Sequence, residues 1–107
     1  MIKIKNNPKQ ILSSGKIIDN NKVILESLAM DLKRVSMGYH RNSIKMAERF
    51  YEEALKRKNE VNTVTIAPYM KKILEDIERL GTDKTKIAED SQMLSTLIQN
   101  YTKFSSI

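Results

Sequence analysis

Apolar residues recur at three- and four-residue steps through four stretches of this chain, and that period buries a stripe only on a helix. Ile24, Leu25, Leu28, Leu32, Val35 and Tyr39 make the first stripe, and Ile44, Ala47, Phe50, Tyr51, Ala54 and Leu55 the second. Met70, Ile73, Leu74, Ile77 and Leu80 make the third, and Ile87, Leu94, Leu97, Ile98 and Tyr101 the fourth. Each stripe has a start signal. Asn20 or Asn21 can cap the first helix, Asn42-Ser43 the second and Thr82 or Asp83 the fourth, while Pro68 suits the first turn of the third and Gly81 a left-handed cap at its end. The pattern predicts an all-α, compact bundle of four main helices, at about 22–39, 43–60, 67–80 and 84–102. The connection between the first two is so short that they should pair antiparallel. The β-branched run Val61-Asn62-Thr63-Val64-Thr65-Ile66 reads as an extended connector.

Residues 1–21 read differently. Asn6-Asn7-Pro8, Ser13-Ser14-Gly15 and Asp19-Asn20-Asn21 are three turn signals in a short span, so no long helix fits there. A short helical turn or a small hairpin would each accommodate Ile11-Leu12 and Ile17-Ile18. The preferred expectation is an irregular basic arm that docks Ile11, Leu12, Ile17 and Ile18 onto the bundle.

The 107 residues, 40% hydrophobic and 30% charged with three Gly and two Pro, suit one helical domain over residues 1–107. The absence of cysteine excludes disulfide frameworks, zinc knuckles and thiol nucleophiles. No stretch approaches the roughly 18 apolar residues of a membrane span, and Met1-Ile2-Lys3-Ile4-Lys5 lacks a signal-peptide core. A soluble, cytoplasmic protein is expected, with no membrane partner.

The charge is lopsided. Of the net +6, residues 1–58 carry thirteen Lys/Arg against six Asp/Glu, whereas residues 59–107 carry six against seven. A basic half of this kind suits a polyanion. At about 100° per residue, Lys45, Arg49 and Lys56 fall opposite Ala47, Phe50, Tyr51 and Ala54, and Lys56-Arg57-Lys58 extends that stripe around the helix end. Lys33, Arg34 and Arg41 lie on or near the same helix pair. Lys33, Arg34, Arg41, Lys45, Arg49, Lys56, Arg57 and Lys58 are therefore the candidate phosphate-binding residues, with Glu48 and Glu52 neutralising part of the field. A solvated face whose last turn compensates the helix dipole explains the same residues without a ligand. The third helix is the contrast: Lys71/Glu75, Lys72/Asp76 and Glu75/Arg79 stand at pairing distance in sequence.

On the first helix, Val23, Met30 and Met37 recur every seven residues, away from Leu25, Leu28 and Leu32. Either another element covers this strip or it is a subunit-contact surface, to which methionine brings an adaptable side chain. A metal site has little to draw on with one histidine and no cysteine, and no phosphate-cradling or nucleophile-elbow motif occurs, so no metal, cofactor or catalytic residue is expected. Arg34 and His40, with five residues between them, resemble the Arg-and-His signature of the HEPN ribonucleases. Val35 stands where that family usually has a polar residue, and on an unbroken helix the pair would point about 120° apart.

In architecture and charge, the short, basic, cysteine-free helical chain resembles the small helical subunits of CRISPR Cascade-type effector complexes. The resemblance implies a non-catalytic role in antiviral defence, binding the backbone of DNA or RNA without sequence preference within a ribonucleoprotein. It further implies contact with other protein subunits, including copies of itself, through Val23, Met30 and Met37. The alternative is a helical adaptor or regulator that binds an acidic protein partner.

Overall fold

The computed structural model describes residues 9–11, 17–80 and 86–104, and its main body is an all-α bundle. The elements are β1 (Lys9–Ile11), β2 (Ile17–Asp19), α1 (Asn21–His40), α2 (Ile44–Glu60), α3 (Pro68–Arg79) and α4 (Ile87–Phe104). Helix α1 is the central element, flanked along its length by α2 and α4, while the shorter α3 bridges those two. Leu25, Leu28, Leu32 and Val35 of α1 meet Ala54, Met70, Ile77, Leu94 and Ile98 in one apolar core. Each leucine so buried is worth about 1.5–3 kcal/mol relative to exposure, which is why the four stripes decide the architecture.

Two tyrosines fasten α3 across the bundle. Tyr51 Oη of α2 donates to the Ile77 carbonyl at 2.8 Å, and the Ala67 N–H donates to Tyr101 Oη of α4 at 3.1 Å. The expected antiparallel pairing of α1 and α2 is present, and its turn has a defined geometry. Asn42 adopts φ 60°, the Asn42 N–H bonds the Tyr39 carbonyl at 3.2 Å, and the Ser43 N–H bonds the Gly38 carbonyl at 2.7 Å. That is a Schellman closure with asparagine in the left-handed position usually held by glycine. Gly38 itself serves packing: a Cβ there would lie 2.8 Å from the Ala47 Cβ, so its absence lets the two helices touch. Ser43 precedes α2 as expected but makes no side-chain capping bond.

Three expectations need correction. The N-terminal arm is not wholly irregular, because β1 and β2 pair antiparallel with Lys9 opposite Asp19, Gln10 opposite Ile18 and Ile11 opposite Ile17. Isoleucines on both sides of a turn signal favour this hairpin. The docking of Ile11, Leu12, Ile17 and Ile18 onto the bundle lies outside the described residues, as do the Gly81 and Thr82/Asp83 caps. Helix α4 begins at Ile87 rather than near 84. The connector, finally, is bent rather than extended throughout: Val61 and Ile66 are buried anchors, and between them Asn62 Oδ1 accepts the Val64 N–H at 3.1 Å in a local turn.

Candidate nucleic-acid interface

The outer edge of α2 carries the predicted stripe. Lys45, Arg49 and Lys56 are exposed, and the wheel sets them about 160–180° from Ala47, the residue against α1. Lys45 and Arg49 make no ion pair with a described residue. Lys56 lies 3.8 Å from Glu53 in a solvent-exposed pair, which leaves most of its charge available. Arg41 is exposed at the end of α1, just before the turn that leads to Lys45. The structure thus groups Lys45, Arg49 and Lys56 along one side of α2, with Arg41 exposed at the neighbouring end of α1.

The other four candidates point elsewhere. Lys33 is exposed, but it sits about 140° around α1 from Gly38, on the flank nearer α4. Arg57 reaches back to Asp31, with its Nε donating to Oδ2 at 3.0 Å. Arg34 lies 3.7 Å from the same carboxylate, and its guanidinium sits 5.3 Å from the centre of the Phe50 ring. Lys58 pairs with Glu78 of α3 at 2.7 Å, and its side chain is only 14% exposed. The run Lys56-Arg57-Lys58 therefore splits three ways: outward, toward α1 and toward α3.

Asp31 and Glu78 are the residues that reading the stripes missed. Asp31 was detectable, since it stands three residues after Leu28 and four before Val35, at the edge of the first apolar stripe, where an acid needs a cation. Burial raises its pKa above the ordinary carboxylate range, outweighing the hydrogen bond and attraction of Arg57 and the charge of Arg34. Glu78 gave no such signal, because its role depends on how α3 crosses α2. On α3 itself, Lys72 pairs with Asp76 at 3.2 Å as expected, Asp76 rather than Glu75 faces Arg79 at 3.6 Å, and the expected Lys71/Glu75 pair is not formed, so the two charged faces differ less than the sequence suggested.

Val23 is 62% and Met30 43% exposed, while Met37 is half-buried. The arm, as far as it is described, does not cover the first two. Helix α1 runs unbroken through residues 34–40, so Arg34, engaged with Asp31 and Phe50, and the exposed His40 diverge instead of converging. Among the described residues no three His, Asp or Glu are grouped to hold a metal ion, and no helix is long and apolar enough to cross a membrane. Comparison with protein-family models, with curated proteins and with solved structures returned no match. The arrangement offers fixed positive charge for oxyanions at the α2 edge.

Proposed function

We propose that this chain binds nucleic acid through its phosphate backbone, non-catalytically and without base preference, as a small helical subunit of a ribonucleoprotein of the CRISPR effector kind. The observation that carries the reading is the exposed edge of Lys45, Arg49 and Lys56, whose cations are held outward by the burial of Ala47 and Ala54 on the opposite side of α2. With a rise of 1.5 Å per residue, Lys45 and Arg49 stand about 6 Å apart along the axis and Lys56 about 10 Å further. Cations spaced so can follow a strand's phosphates, contacts that fix position and carry no sequence information. Arg57 and Lys58 hold the helices together in this reading, and Lys33 strengthens the field from a distance.

The test is binding to single-stranded DNA and RNA homopolymers at low salt. Binding should be similar for different sequences, weaken as salt rises, and vanish when Lys45, Arg49 and Lys56 are replaced by Glu with helicity unchanged. No binding by the folded wild type would overturn the reading.

A further inference from the structure

Among the described residues, helix α1 is covered on three sides and open on the fourth. The wheel places Val23, Met30, Met37 and Arg41 within about 20° of one line, facing away from Leu25, Leu28 and Leu32. Ser95 Oγ of α4 donates to the Ala29 carbonyl on one flank at 2.7 Å, and Arg57 of α2 meets Asp31 on the other. Since α3 touches α2 and α4 and shares its core with Leu25 and Leu28, the open line lies on the face that α3 does not cover. The half-buried Met46 and Phe50 border it from α2. The strip of Val23, Met30 and Met37 is about 21 Å long at 1.5 Å per residue, and Arg34, stacked on Phe50, lies within it.

Its rim is cationic. On balance Lys22, Lys33 and Arg41, exposed along it, outnumber the exposed Glu26, while on the α2 flank Arg34 and Arg57 are matched by Asp31 and Glu53. We infer that this face is a docking surface for an acidic amphipathic helix of a protein partner, distinct from the phosphate-binding edge of α2. Two features select that occupant. The seven-residue repeat of Val23, Met30 and Met37 matches the repeat a second helix presents when it lies along α1. The rim then asks for carboxylates beside the partner's apolar stripe. A second copy of this chain laid face to face would set Lys22, Lys33 and Arg41 against themselves, and a nucleic-acid strand would find Val and Met where bases stack on aromatic rings.

The proposal stands apart from the nucleic-acid reading and can fail separately. The probe is a synthetic 21-residue peptide with leucines in heptad spacing and glutamates on both flanks, beside a scrambled peptide of identical composition, measured against the full chain. The ordered peptide should bind at least about tenfold tighter than the scrambled one. Met30→Lys, at an exposed position, should weaken it about tenfold, and Lys22→Glu with Lys33→Glu by a similar factor. Replacement of Lys45, Arg49 and Lys56 by Glu should leave peptide binding within about twofold. Equal binding of both peptides, or none, overturns the inference. So does concentration-dependent dimerisation that Met30→Lys abolishes, or loss of single-strand binding in that variant, since these assign the face to a second copy or to nucleic acid.

Discussion

Asn21 illustrates how a residue read as a helix cap holds two parts of the fold together. It is 1% exposed; its Nδ2 donates to the Asn62 carbonyl at 2.8 Å and to Thr65 Oγ1 at 3.0 Å, and its Oδ1 accepts the Asn62 N–H at 2.8 Å. Asn21→Leu removes the partner of the part-buried Asn62 N–H and one partner of its carbonyl and should cost about 1–3 kcal/mol in urea denaturation. Asn21 was legible as a start signal, but its bonds span more than forty residues of sequence and no local pattern contains them. Asp31 makes a second prediction at this scale. Because burial raises its pKa, the folded chain holds the proton more tightly than the unfolded chain does. The group's contribution to stability is therefore full below the ordinary carboxylate pKa and is lost as pH rises through the raised folded value. Asp31→Asn removes that slope, so its urea midpoint relative to wild type should climb as pH rises above the ordinary carboxylate range. A relative midpoint that falls instead would mean that the attraction of Arg57 and Arg34 dominates.

At the scale of elements, the four apolar periods located all four helices because burial of those stripes is the largest favourable contribution to the fold. What they could not reveal is how closely the helices approach. Gly38 lies where a helix end was anticipated, yet it stays helical and meets Ala47 across the α1–α2 contact. Gly38→Ala should cost about 1–3 kcal/mol despite its better helix propensity, because neither backbone can move away without opening the core. Thermal unfolding followed by circular dichroism measures it, and an increase in midpoint would contradict the close approach. Helix α4 shows the same limit from the other direction. Leu97 fits the apolar period and is 41% exposed, whereas Ser91 and Ser95 interrupt it and are fully buried. Small hydroxyl side chains fit a tight seam against α1, and Ser95 satisfies itself on the Ala29 carbonyl.

Across the whole molecule, the excess of cations in the first half divides into two populations. Arg57 and Lys58 stitch α2 to α1 and α3, whereas Arg41, Lys45, Arg49 and Lys56 face solvent. Reading the wheel of α2 alone placed Lys45, Arg49 and Lys56 outward, as the structure has them. It could not separate Lys56 from its two neighbours, because their partners belong to other helices. Replacing Lys58 by Ala should accordingly lower the unfolding free energy measured in urea by up to about 1 kcal/mol given that Glu78 is exposed, with little effect on the salt dependence of binding. The most direct measurement is the salt dependence of binding to a single-stranded homopolymer, for the wild type and for the triple variant Lys45→Ala, Arg49→Ala, Lys56→Ala. The wild type should show a negative slope of log affinity against log salt, and the folded triple variant should lose about two units of it. An unchanged slope in the variant, or a wild type that does not bind at low salt, would contradict the account.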